Sequence, residues 1–87
     1  MGKSVGGQFR YIYVLESQAE STRHYVGMTE DLQARLDQHN FGQVSHTSKF
    51  RPWQIETAVA FRSKGKAVAF EQYLKSHSGR AFAKKHF

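Results

Sequence analysis

Tyr13, Tyr25, Arg35, His39 and Glu71 are residue types that could together hydrolyse a phosphodiester. A carboxylate can hold a divalent ion, an arginine can meet the charge that develops on a phosphorane, and a phenol or imidazole can take a proton from water. Tyrosine, with a reference pKa near ~10, is far from neutrality as a base, whereas histidine, near ~6.5, is close to it. Types and spacing allow this chemistry without establishing it, because each side chain also has a structural use. The tyrosines can pack in strands, and Arg35 can be a solvated charge. His39 can sit at the negative end of a helix dipole, and Glu71 can pair with Lys75 at i,i+4 for about a few tenths of a kcal/mol.

The elements that would position these residues can be read along the chain. Phe9 to Leu15 is aromatic and β-branched, the composition of a mostly buried strand. Polar residues from Glu16 to Thr22 suit a loose connecting loop, after which Arg23 to Met28 can pair antiparallel with the first strand. Tyr25-Val26-Gly27 then runs into Thr29-Glu30-Asp31, types that suit a helix N-cap and first turn, so a helix is expected from near Thr29 to about Asn40. Leu32, Arg35, Leu36 and His39 recur at i, i+3, i+4 and i+7, which places Arg35 and His39 where the core-facing stripe meets solvent. Gly27, lacking a side chain, permits close approach at the end of the second strand, and Gly42 suits the helix C-terminus.

Gln43 to Pro52 reads as a loop whose Ser45, His46, Thr47, Ser48, Lys49 and Arg51 could donate to phosphate oxygens. Trp53 to Phe61 alternates as a third strand, with Trp53, Ile55, Thr57, Val59 and Phe61 on one face and Glu56 on the other. Ser63-Lys64-Gly65 is expected to end that strand, followed by a helix from Lys66 to Ser76 with Ala67, Phe70 and Leu74 inward. Glu71 then stands beside an apolar face, where desolvation is costly without a cation or strong donors. His77-Ser78-Gly79 reads as a turn and Arg80 to His86 as a short basic helix. His24, His46, His77 and His86 lack metal-ligand spacing and read as polar surface. The expected fold is α/β (α+β): a small three-stranded antiparallel sheet flanked by helices, as one domain over 9–87 behind a flexible leader over 1–8.

The 87 residues carry 13 Lys plus Arg against 7 Asp plus Glu, a net charge of +6 that points to an anionic partner, nucleic acid above all. The excess is uneven. Up to Ser48 there are four basic residues against five acids, whereas from Lys49 onward nine basic residues face only Glu56 and Glu71. Lys49, Arg51, Lys75 and Arg80 are accordingly the candidate nucleic-acid-binding residues. With no cysteine there is no disulfide, thiolate metal site or cysteine nucleophile, and with no long apolar run there is no sign of a membrane span. A cytoplasmic location is expected.

Tyr11-Ile12-Tyr13, Tyr25-Val26-Gly27 after a short loop, Arg35 in the next helix and Glu71 in a later one together resemble the GIY-YIG nuclease superfamily. The resemblance runs from Tyr11 to the C-terminus. It is strongest to small, stand-alone, single-domain bacterial members, which share a basic end similar to Ser78-Gly79-Arg80-Ala81. It implies a metal-dependent endonuclease that cuts DNA by attack of an activated water. On this resemblance Tyr25 would lie against the water as base or relay, and Tyr13 would orient the water or phosphate. Arg35 would contact the scissile phosphate, and Glu71 would hold a single Mg2+ or Mn2+. His39, where relatives carry tyrosine or histidine, would share the water with Tyr25.

The sequence departs from the family pattern in three places. Tyr11 replaces a glycine, Met28-Thr29 replaces a basic residue, and a late asparagine has no counterpart after Glu71. These departures motivate an alternative, a catalytically weakened nucleic-acid-binding module of the same fold, and behind it an interaction domain for an acidic protein. The choice of DNA or RNA, the substrate shape, any auxiliary protein for targeting, the oligomeric state and the pathway, DNA repair among others, stay open at this level.

Overall fold

Seven apolar residues, from Ile12 to Leu74, close the core around one strand. In the computed structural model, which describes residues 9–87, that strand is β1 (Arg10–Ser17), followed by β2 (His24–Thr29), α1 (Leu32–Asn40), a 3-10 turn (Ser48–Phe50), β3 (Trp53–Phe61), α2 (Lys64–Lys75) and α3 (His77–His86). The leader expected over 1–8 lies outside the described residues. The strands form an antiparallel sheet in the order β2-β1-β3, with three α-helices packed about it, as the α+β reading requires. No described helix is long and apolar enough to cross a membrane.

As the central strand, β1 is buried on both faces, which accounts for its unbroken Tyr-Ile-Tyr-Val-Leu run. Ile12 and Val14 pack with Ala67 and Leu74, while Tyr13 and Leu15 pack with Trp53. The alternation of β3 is present, yet its inward residues do not share one face. Thr57 pairs with Val14 and Ile55 with Leu15, so Glu56 is a bulge that turns the strand over. Trp53 and Ile55 therefore join the Tyr13 side, and Phe61 joins the Ile12 side. The single face expected over Trp53 to Phe61 is corrected accordingly.

Local chemistry shifts several expected boundaries. Thr29 ends β2, and Asp31 caps α1 by accepting from the Ala34 N–H at 3.1 Å, two residues later than expected. Along the stripe, Leu32 and Leu36 pack inward and Arg35 is half-buried at its edge, as read. Gly42, at φ +79°, ends the helix, its N–H donating to His39 C=O and that of Gln43 to Gln38 C=O. Ser63, expected in a break, instead caps α2 by accepting from Lys66 N–H, so the helix starts at Lys64 and ends at Lys75. Ser76 likewise caps α3 through Gly79 N–H, which makes His77-Ser78-Gly79 a first helical turn. The loop after β1 is less loose than expected. Buried Ser17 accepts from Ala19 and Glu20 N–H and donates to Phe50 C=O at 2.6 Å.

Candidate active site

Tyr13 and His39 meet inside the protein. The Tyr13 ring leaves β1 across Gly27 of β2, where a Cβ would fall 2.4 Å from the phenol oxygen. The close approach expected at Gly27 is thus made by Tyr13 itself. Its hydroxyl lies 3.0 Å from His39 Nε2, and His39 Nδ1 lies 2.8 Å from Thr47 Oγ1. Thr47 Oγ1 donates its one hydrogen to the Val44 carbonyl at 3.2 Å. It must therefore accept from His39 Nδ1–H, which leaves Nε2 as an acceptor for the Tyr13 O–H. Arg35 Nε–H completes the row by donating to the Tyr13 oxygen at 3.2 Å.

The donor count explains the electrostatics. A second proton on His39 would set two donors, Arg35 and Nε2–H, against one phenol oxygen whose own hydrogen then has nowhere to go. Burial disfavours the imidazolium, the Arg35 charge adds to this, and the His39 pKa is lowered to about 4. The Tyr13 phenol is pushed up by burial, opposed by the hydrogen bond and charge of Arg35, with Tyr25 and Glu71 adding to the rise. Arg35 is held more firmly protonated by its bond to Tyr13. At neutral pH the group is therefore a guanidinium, a phenol and a neutral imidazole.

His39 is wholly buried, which corrects its expected place at the solvent edge. Tyr25 is half-buried beside it, its ring centroid 4.9 Å from the imidazole and 6.4 Å from that of Tyr13. Arg35 is also half-buried and is steadied by Gln38, which accepts from Nη1 at 2.7 Å. The fold thus brings Tyr13, Tyr25, Arg35 and His39 together. Thr47, expected among the phosphate donors of its loop, is buried in the relay instead. Ser17 and Thr47 are the polar core residues that sequence reasoning missed. Nothing in a serine or threonine at a strand end or in a loop distinguishes it from surface.

Glu71 stands on α2 with its side chain 19% exposed, and Lys75 Nζ is 3.1 Å from its carboxylate. Its charge adds the smallest of the influences on the Tyr13 phenol, and its direct partner is Lys75. A magnesium-type ion fits such a residue, because Mg2+ commonly takes one or two carboxylates and keeps water and substrate phosphate as its other ligands. A half-exposed lysine can swing aside from it. A second set of possible ligands was not expected from spacing. Glu16 and His24 are cross-strand partners, the bulged Glu56 joins them, and their ligand atoms lie within 4.8 Å of one another. His24 lies at the surface, as read, with these two carboxylates beside it.

The four candidate nucleic-acid-binding residues fall into two groups. Lys49 is exposed in the 3-10 turn, and Arg51 Nε donates to Ser48 C=O at 2.8 Å. Lys75 and Arg80 line a cavity of about 960 Å3 between the sheet and the α2–α3 pair, which Tyr25 also lines.

Comparison with known proteins gives concordant matches. The model of the GIY-YIG catalytic domain matches residues 9–85. A structure-specific endonuclease subunit SLX1 homolog from Drosophila mojavensis is 40% identical over 74 residues, covering 75% of this chain and 24% of that protein. A UPF0213 protein of Streptococcus pneumoniae is 38% identical over 66 residues, covering 75% of this chain and 65% of its own. A UPF0213 protein of Haloquadratum walsbyi is 30% identical over 71 residues, with 80% and 78% covered. The chain spans about a quarter of the SLX1 homolog and most of the UPF0213 protein from Haloquadratum.

Proposed function

The chain belongs to the GIY-YIG family and carries that family's catalytic domain, and from this premise we propose that it is a metal-dependent endonuclease acting on DNA. The observation that carries the reading is the row Arg35–Tyr13–His39, in which a fixed cation, a phenol and a neutral imidazole share hydrogen bonds. Arg35 binds the scissile phosphate and meets the charge that develops on it. Tyr25, the more accessible phenol, positions the attacking water. As that water attacks, its proton passes to the Tyr25 oxygen while the Tyr25 proton leaves to solvent, and buried Tyr13, held between Arg35 and His39, orients the site. His39 acts behind Tyr13, since both its nitrogens are already bonded. Thr47 holds the ring in the tautomer that leaves Nε2 free to accept.

Glu71 would hold Mg2+ or Mn2+, which supplies positive charge for the leaving oxygen. Lys49, Arg51, Lys75 and Arg80 contribute backbone contacts that weaken with salt. A relative named as a subunit of a structure-specific endonuclease suggests both branched DNA as substrate and an auxiliary protein for targeting. RNA is the alternative substrate in the same assay.

The test is cleavage of single-stranded, duplex, flapped and branched DNA with Mg2+, Mn2+ or EDTA. Arg35→Ala and Glu71→Gln should each lose about 100-fold or more in rate while keeping DNA binding. Unchanged cleavage would remove the assigned roles. The second reading, a binding module with weakened chemistry, is favoured by the Lys75 contact that occupies Glu71. It is upheld if native and variant chains bind DNA equally and neither cuts.

A further inference from the structure

The α2–α3 face carries a connected set of exposed rings that the proposed cleavage does not use. Tyr73 is 42% exposed, Phe82 36% and Phe87 39%. They touch one another: Phe82 lies 6.0 Å from Tyr73, 5.7 Å from Phe87 and 4.7 Å from the His86 ring, centroid to centroid. Single exposed apolar residues are ordinary on protein surfaces, but a contiguous aromatic patch marks a binding surface.

The charge around the patch says what it binds. From Lys64 to Phe87 six lysines and arginines face one acid, Glu71. Three of them, Lys75, Arg80 and Lys84, line the cavity beside α3, and Phe87 lines it too. Through Phe87 the cationic wall leads to Phe82 and Tyr73. The opposite wall bears Glu16, His24 and Glu56, so a polyanion in the cavity is held to the helical side. A second copy of the chain is a poor occupant, since two such faces would oppose like charge. Flat rings beside a cationic groove suit unpaired nucleotides, whose phosphates follow the charge and whose bases stack on the rings. Bases inside a duplex have their faces already covered by their neighbours.

We propose that Tyr73, Phe82 and Phe87 form a stacking platform for unpaired nucleotides, fed by the Lys75–Arg80–Lys84 wall. This rests on the nuclease reading and gives its substrate class: DNA with a single-stranded segment next to the cut.

The test is binding in EDTA, where no cleavage occurs, of a twelve-nucleotide thymidine strand, an abasic strand with the same phosphates, and a blunt duplex. The thymidine strand should bind about fivefold or more tighter than the abasic one. Phe82→Ala should erase that difference while leaving abasic binding and the melting temperature unchanged. Phe82→Trp should keep the difference, with the new indole fluorescence quenched by thymidine and not by abasic strand. The tryptophan variant keeps the test valid should the alanine variant fold poorly. Equal binding of the two strands, or a difference that survives Phe82→Ala, overturns the platform. So does competition by polyglutamate equal to that by thymidine strand, which would mark an acidic protein site, or a sedimenting dimer abolished by Phe82→Ala. Duplex binding and cleavage with no thymidine preference would overturn the platform alone. Failure to bind or cut any DNA at low salt would overturn the nuclease reading as well.

Discussion

The two faces of β1 are buried to the same degree and made of different material. On one face Ile12 and Val14 meet Ala67 and Leu74, a dry contact of aliphatic groups with no polar partner to satisfy. On the other, Tyr13 and Leu15 meet Trp53, and threaded beside them are buried His39 and Thr47. Every polar atom there is bonded: among the described residues no buried side-chain nitrogen or oxygen lacks a partner. The aliphatic face therefore holds the sheet together, whereas the polar face stabilises only in one protonation state and one hydrogen-bond arrangement. Perturbing one face should change stability evenly across pH; perturbing the other should change its pH dependence and the chemistry.

The largest effect is expected on the aliphatic face. Leu74→Ala removes a buried side chain at the junction of α2 with the sheet and should cost about 2–5 kcal/mol in denaturant unfolding. Its acid-side slope should match that of the native chain. If the slope flattens, the two faces are not independent.

Next comes acid unfolding on the polar face. The His39 pKa is about 4 in the folded chain and ~6.5 unfolded, so between these values the unfolded chain binds more protons. The contribution is complete above pH ~6.5 and is lost as pH falls toward 4, about 3 kcal/mol in all. Unfolding measured from pH 7 to pH 4 should show this loss, and His39→Gln should be less stable at pH 7 with a flatter profile. An unchanged slope in that variant would exclude His39 as its source.

Gly27→Ala should follow, at about 1–3 kcal/mol, because its Cβ must push the Tyr13 phenol from its place between Arg35 and His39. Cleavage should fall further than stability does, which kinetics on a folded sample would show. A crystal structure with Tyr13 unmoved would refute the steric account. The smallest effect is expected for Lys75→Met, below about 1 kcal/mol in stability because the Lys75 end of the pair is half-exposed. Losing the competing ammonium should tighten Mn2+ binding severalfold in a titration, and no change would show that Lys75 does not compete for Glu71.

Much of the site was legible because its residues lie on regular elements. The i, i+3, i+4, i+7 spacing aligned Leu32, Arg35, Leu36 and His39 along one stripe of α1, with Arg35 and His39 at its edge, without any tertiary information. Tyr13 and Tyr25 could be set on neighbouring strands from composition, and the pairing of β1 with β2 follows. The caps were harder, since Ser63 and Ser76 look like loop residues until the N–H groups they accept from are known.

What the chain alone determined is therefore the inventory and its local periodicity: strands, helices, the net positive second half, and the candidates for proton and phosphate chemistry. Local sterics and hydrogen bonding act within a few residues, so they can be read in one dimension. The tertiary structure decided how deep each group lies and whom it meets. Only the folded chain carries His39 from the solvent edge to full burial, gives Thr47 to its ring instead of to a phosphate, and turns β3 over at Glu56. Those outcomes depend on partners 8 to 43 residues away in the chain, and desolvation and cross-strand register exist only once such distant segments pack.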